Sequence, residues 1–253
     1  MLRSEFELLL NKTFSPSRFQ DYAPNGLQVE GKKEINRVVT GVTASQALIN
    51  AAIDYKADAI FVHHGYFWKN EDPRIMGMKY RRIAALIKND INLYGYHLPL
   101  DAHPALGNNA GLANAIGLIN RSGLQVGVAI EESIGIVGEL IEPVSADVFR
   151  RMIETAVDRN VLFERVNDQT IQRVALCTGG AQSYIEQAVA AGADVFITGE
   201  VSEQTIHIAR EMGIHFVAAG HHATERFGAR SVAAYLTNEC GLDAVFVDIE
   251  NPA

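Results

Sequence analysis

Arg37–His64, RVVTGVTASQALINAAIDYKADAIFVHH, is the stretch on which the fold class turns. Val38–Val42 is apolar and β-branched and predicts a strand. Ser45–Tyr55 carries apolar residues at helical spacing and predicts a helix. Ala59–Val62 is a second buried-strand pattern, and it runs straight into His63-His64-Gly65. Further on, Arg81–Lys88 predicts a helix and Ile91–Tyr96 a strand. Strands alternating with helices in this way mark an α/β chain with a largely parallel sheet.

The second half of the chain repeats the pattern. Arg173–Glu200 aligns with Arg37–His64 without gaps. Arg37/Arg173, Val38/Val174, Gln46/Gln182, Ile49/Ile185, Ala52/Ala188, Ala57/Ala193 and Asp58/Asp194 are identical pairs. Any two βαβ units share apolar positions, so identities of this kind also arise by chance. A second correspondence weighs against chance: Tyr96-His97…Asp101 matches Gly220-His221…Glu225. The expectation is one domain spanning 1–253, made of two related α/β lobes at approximately 1–125 and 126–253. Residues 120–172 carry weaker signals, with a strand at Ile134–Leu140 and an amphipathic helix at Ala146–Val157. They are expected to complete the sheets and connect the lobes. At the N-terminus Ser4 and Glu7 have capping-box spacing, and Asp21-Tyr-Ala-Pro-Asn-Gly26 is a turn cluster.

The chain has 253 residues, 48% hydrophobic and 21% charged, which is the balance of a globular protein. Its net charge of −8 argues against broad nucleic-acid binding, which needs a basic face. The short basic run Lys79-Tyr80-Arg81-Arg82 reads as a solvated helix face. The N-terminus has acids where a signal peptide needs an apolar core, and no apolar run approaches the ~20 residues of a membrane helix. Cys177 and Cys240 form no C-x-x-C and read as buried free thiols. A cytoplasmic protein is expected, with no membrane partner.

All eight histidines fall in two regions: His63, His64, His97 and His103, then His207, His215, His221 and His222. Three predicted strands end in such residues: Ala59–Val62 at His63-His64, Ile91–Tyr96 at His97…Asp101, and His215–Ala219 at His221-His222…Glu225. In α/β sheets, ligands bind outside the carboxyl ends of strands. Adjacent strand residues face opposite ways, so His63 and His64 either serve different ions or sit where the pleat is lost, with Gly65 giving the freedom. Pro99 is expected to forbid a helix through His97–Asp101, so that a loop turns Asp101 back toward the strand end. His221 and Glu225 share one face of a first helical turn, where a carboxylate stays ionised. His103 reads as surface or as support for a ligand. Any one of these residues has a structural reading, as a core histidine or a helix cap. Taken together, His63, His64, Asp101, His221 and Glu225 exceed one tetrahedral ion and suit two ions ~3.5–4 Å apart. Zinc, manganese, iron and nickel all take this donor set.

These motifs resemble the Ngg-interacting-factor-three-like family, which carries the label GTP cyclohydrolase 1 type 2-like. The resemblance rests on His63-His64-Gly65, His97-Leu-Pro-Leu-Asp101 and Gly220-His221-His222-Ala-Thr-Glu225-Arg226. It extends to Asp21–Gly31, Thr40–Ser45 and Thr198–His207, with residues 118–170 divergent. It implies a dinuclear metal centre in a cleft between two related α/β lobes, with His63, His64, Asp101, His221 and Glu225 as ligands. It also implies a toroidal homo-hexamer. His97 belongs to the same pattern, and we assign it to proton transfer or to the surroundings of the ligands.

Two readings of function follow. In the first, two divalent ions lower the pKa of a water toward ~7 and the protein is a hydrolase. Its substrate would be a small molecule, for which a nucleotide opened by GTP cyclohydrolase-type chemistry is the lead. There is no Walker-type loop; Gly179-Gly180 and Thr43-Ala44-Ser45 each offer an anion a helix N-terminus, but both read better as plain helix caps. In the second, the protein is a non-enzymatic, metal-stabilised ring scaffold that binds a protein or nucleic-acid partner. Tyr66-Phe67-Trp68 follows the first ligand pair and reads as the wall of a cleft or as an interface. An open coordination position separates the two readings, since a catalytic site keeps one and a structural site is closed.

Overall fold

The computed structural model describes residues 1–253 and divides the chain into two compact units. The first comprises Met1–Leu100 and Gly228–Glu250; the second comprises Asp101–Phe227 and Asn251–Ala253. The boundary therefore falls near residue 100 rather than 125, and the first unit is discontinuous. The reason is strand pairing: the chain returns near its end to add a parallel strand to the first sheet.

In the first unit, α1 (Arg3–Phe14) precedes β1 (Gly26–Val29), β2 (Arg37–Thr43), α2 (Gln46–Asp54), β3 (Ala59–His64), α3 (Gly77–Lys88) and β4 (Asn92–Gly95). Most of α10 (Arg226–Asn238) and all of β11 (Asp243–Phe246) complete it. The strand order is β1-β4-β3-β2-β11, parallel except for β1. β3 lies between β4 and β2, which is why its residues Ala59–Val62 are apolar throughout and fully buried. Ser45 caps α2, its Oγ accepting from Leu48 N–H at 3.2 Å. The cap of α1 differs from the Ser4–Glu7 expectation. The helix starts two residues earlier, with Leu2 as N-cap and Arg3 as its first residue, and the Glu5 carboxylate accepts the Leu2 N–H at 2.8 Å.

The second unit begins within α4 (Leu98–Ala102). It continues through α5 (Asn108–Ala115), β5 (Ile119–Gly123), β6 (Ile136–Val144), α6 (Ala146–Val157), β7 (Leu162–Glu164), β8 (Ile171–Leu176), α7 (Ile185–Ala190), β9 (Val195–Thr198), α8 (Glu203–Met212), β10 (His215–Ala218) and α9 (His221–Thr224). Its strand order is β5-β6-β8-β9-β10-β7. Only β8, β9 and β10 pair in parallel, so this sheet is mixed. The weakly patterned stretch 120–172 thus supplies β5, β6 and β7 and the covering helix α6. Phe149, Ile153 and Val157 of α6 are buried on that sheet, and Ser145 caps the helix.

One local contact occurs in both units. Asp58 Oδ2 accepts the N–H groups of Asn36 and Arg37, each at 3.0 Å. Asp194 Oδ2 accepts those of Gln172 and Arg173 at 2.9 and 2.7 Å. Each aspartate opens a strand and ties off the first amides of its parallel neighbour. No helix of the chain is long and apolar enough to cross a membrane.

Candidate metal centre

In the first unit the buried β3 delivers two imidazoles at its carboxyl end. The strand does not stop before them: His64 still pairs with Thr43 of β2. The pleat is kept, and Gly65 is not used to break it. The two rings are nevertheless 4.5 Å apart between centroids. The His63 Nδ1 lies 3.2 Å from the Tyr96 carbonyl, and the His64 Nδ1 lies 3.3 Å from the Thr43 hydroxyl. His97 follows β4, and its Nδ1 sits 2.6 Å from Asp21 Oδ1. Its ring is 5.0 Å from that of His63 and 5.8 Å from that of His64. Each of His63, His64 and His97 offers a nitrogen, and the three lie within 4.8 Å of one another. Trp68 packs edge-on against His97, with centroids 4.9 Å apart. The preceding aromatics do other things: Tyr66 is core, its hydroxyl donating to Ala44 O at 2.7 Å, and Phe67 is exposed beneath Lys79.

The second unit gathers the acids. Asp101 lies in α4, a helix that Pro99 was expected to forbid. Pro99 is in the first turn, where its missing N–H has no helical partner to lose, so the helix forms around it. Asp101 is buried, and its Oδ1 accepts from Asn108 Nδ2 at 2.8 Å and Thr178 Oγ1 at 3.3 Å. His221 opens α9 after β10, and Glu225 ends that short helix. His221 Nε2 is 3.2 Å from Glu225 Oε2, while its Nδ1 is 2.7 Å from Glu200 Oε1. The carboxylate oxygens of Asp101 and Glu225 lie within 4.8 Å of each other.

Glycines permit this crowding. Gly179 follows β8 with φ +72°, and a Cβ there would collide with Glu225 Oε1. A Cβ on Gly199, after β9, would fall 2.6 Å from the His221 Cα. The hydrogen bond and charge of Glu225 raise the His221 pKa to about 9 against the cost of burial, with Glu200 adding to the rise. Burial, with Asp101 and Glu225 near by, pushes the Cys177 thiol well up. Cys177 is thus a buried thiol as expected, whereas Cys240 is only partly buried.

Three of the four remaining histidines serve elsewhere. His103 Nδ1 accepts the Ala105 and Leu106 N–H groups and closes a turn. His215 is buried at the start of β10 and accepts from Val166 N–H, and His207 is exposed on α8. In the two candidate anion loops, three amides already have partners within the protein. Ala44 N–H goes to His64 O, Ser45 N–H to Thr43 O, and Gly179 N–H to Thr224 Oγ1. The basic run at 79–82 is less solvated than expected, since Lys79 is largely covered and pairs with Glu71.

Asp21 and Glu200 were not singled out by sequence. Asp21 stood in the turn cluster 21–26, and Glu200 stands where the internal alignment places it opposite His64. Both also lie in stretches that carry the family resemblance, Asp21–Gly31 and Thr198–His207.

Comparison with known proteins agrees with the motif resemblance. A Haemophilus influenzae protein named "GTP cyclohydrolase 1 type 2 homolog" is 56% identical over 98% of both chains. The solved structure of the protein ybgI, described as of unknown function, is 52% identical over the full length of both chains with a TM-score of 0.95. That of TTHA1606 from Thermus thermophilus is 33% identical, also over both full lengths, with a TM-score of 0.89. The Duf34/NIF3 (NGG1p interacting factor 3) family matches residues 1–252, and the chain belongs to that family.

Proposed function

We propose that this protein is a dinuclear metal-dependent hydrolase. His63 and His64 of the first unit and Asp101, His221 and Glu225 of the second would together hold two divalent ions between two related α/β lobes. The observation that carries the reading is the gathering of a buried carboxylate pair and a carboxylate-backed imidazole at the strand ends of the second unit, where Gly179 leaves room for Glu225. The donor set fits: imidazole nitrogens and carboxylate oxygens suit zinc, manganese, iron or nickel. Histidines oriented through Nδ1 have the support that ligands need.

Bound ions would supply Lewis acidity and an acidified water. The chain's own residues do the rest. Asp101 is fixed by Asn108 and Thr178, and Glu200 fixes the His221 ring. Trp68 walls the histidine cluster of the first unit and offers an aromatic edge to a planar substrate. We assign proton transfer to His97, which is within reach of His63 and His64 yet held by Asp21 rather than by a ligand. The name carried by the curated relatives suggests nucleotides first, with purine-ring opening as the reaction to try. The assembly is proposed as a homo-hexameric ring. Ile75, Met76, Met78 and Tyr80, exposed together around the start of α3, support an interface there.

The test is a metal analysis of the purified protein with a screen of phosphate esters, nucleotides and purine rings. Two ions per chain and turnover that His97→Ala abolishes without loss of metal are the expected results. A metal-replete protein that turns over none of these classes would favour the scaffold reading. A monomeric mass by light scattering at micromolar concentration would refute the ring.

A further inference from the structure

We infer that Asp21 and Asn25 form a positioning device that fixes the ring tautomer and orientation of His97, so that Nε2 is its reactive nitrogen. The inference deepens the proton-transfer role given to His97 above and rests on that reading for its functional consequence.

The argument starts from the loop between α1 and β1. Asp21 is almost wholly buried, its side chain 3% exposed. Four donors converge on its two oxygens. Oδ1 accepts from His97 Nδ1 and from Tyr22 N–H, both at 2.6 Å. Oδ2 accepts from Leu98 N–H and Asn25 Nδ2, both at 2.9 Å. Burial alone would raise the Asp21 pKa, but the His97 contact and the other donors outweigh it and hold the carboxyl below its ordinary value. An ionised carboxylate only accepts hydrogen bonds, so His97 must present N–H at Nδ1. The neutral ring then carries its lone pair on Nε2.

Asn25 completes the device. Its Oδ1 accepts the His97 backbone N–H at 2.7 Å, while its Nδ2 is engaged by Asp21. One short loop thereby holds the histidine at its ring and at its backbone. Trp68, edge-on at 4.9 Å, and Tyr22, at 6.4 Å, flank the ring. A proton taken up at Nε2 leaves an imidazolium that Asp21 stabilises through Nδ1–H, and its release restores the starting tautomer. This is the orienting function a carboxylate serves behind a general base.

Replacement by asparagine discriminates this role from mere structure. An amide has one acceptor oxygen and one donor nitrogen. Placing the nitrogen at the Oδ2 position would oppose both Leu98 N–H and Asn25 Nδ2. At the Oδ1 position it opposes one fixed donor, Tyr22 N–H, and meets His97, which can relieve its own clash by moving its proton to Nε2. Asp21→Asn should therefore switch His97 from the Nδ1–H to the Nε2–H form.

The experiment is long-range 1H–15N correlation spectroscopy of the histidine side chains at pH 8 in metal-free protein, with the His97 signal assigned by His97→Gln. The expected results are Nδ1–H in the unmodified protein and Nε2–H in Asp21→Asn. An Nε2–H form in the unmodified protein would overturn the inference, and that spectrum decides the point even if the variant does not fold. An unchanged tautomer in a folded variant would overturn it too. Metal content, read in parallel, should be unaltered in Asp21→Asn; loss of metal would mean that Asp21 supports ligands instead. On any substrate found, the variant should lose about 100-fold or more in turnover. Should the unmodified protein turn over nothing, the hydrolase reading fails while the tautomer measurement still stands or falls by itself.

Discussion

Glu225 Oε2 lies 3.2 Å from His221 Nε2, four residues earlier in the chain, and Glu225 is almost fully buried where it does so. A carboxylate in that position is costly to bury unless cations or donors compensate it. In the proposed centre it would serve both ions. Glu225→Gln should remove most of the bound metal while leaving the second unit folded. Elemental analysis alongside circular dichroism checks this, and undiminished metal would exclude the bridging role.

The raised pKa of His221 predicts a pH dependence. Its folded value of about 9 exceeds the ordinary 6.5, so the protonated form stabilises the metal-free protein. That contribution is complete below pH ~6.5 and is lost as pH rises through about 9. Metal binding needs the neutral ring and so must expel this proton. Apparent metal affinity should rise by up to about tenfold per pH unit across that window. Titration calorimetry in buffers of different ionisation enthalpy would detect the released proton. His221→Gln should abolish the release.

Gly179 is predicted to be intolerant of a side chain. Its φ of +72° disfavours L residues, and a methyl group would meet Glu225 Oε1. Gly179→Ala should cost about 1–3 kcal/mol of stability and lower metal content. Gly192, also at positive φ but with open space around it, is the control. Gly192→Ala should lose about 1 kcal/mol with metal content unchanged.

Asp58 and Asp194 should behave alike. Each accepts two backbone N–H groups at the start of a neighbouring strand. Alanine at either position leaves those amides without their acceptor, at about 1–3 kcal/mol. Asp58→Ala also releases Lys32, which pairs at 2.7 Å, so chemical denaturation should show it as the more damaging of the two.

The α/β class was legible because Val38–Val42 and Ala59–Val62 are strands buried on both faces, which leaves uncharged runs, apolar throughout but for Thr40. Helix α6 was legible to the residue because Ser145 announces its start and its apolar stripe is clean. The unit boundary was not, because β11 joins β2 through backbone pairing that leaves no periodic mark at residue 100 or 228. Among the site residues, the histidines and acids stood out by type and position at strand ends. Asp21 did not, because a buried aspartate in a turn cluster reads as a turn former. Its partner is seventy-six residues away, and only the folded loop brings the two together.

The return of β11 to the first sheet also bears on biosynthesis. Residues 101–227 form one continuous stretch, so the second unit has nearly all its chain once Phe227 has been made. The first unit begins earlier yet lacks most of α10 until Asn238 and an edge strand until Phe246 has been made. Until then β2, with its apolar residues, is an unprotected sheet edge, the kind of surface that seeks other chains. A nascent chain paused before residue 243 should accordingly engage holding chaperones through its N-terminal segment, even though that segment was translated first.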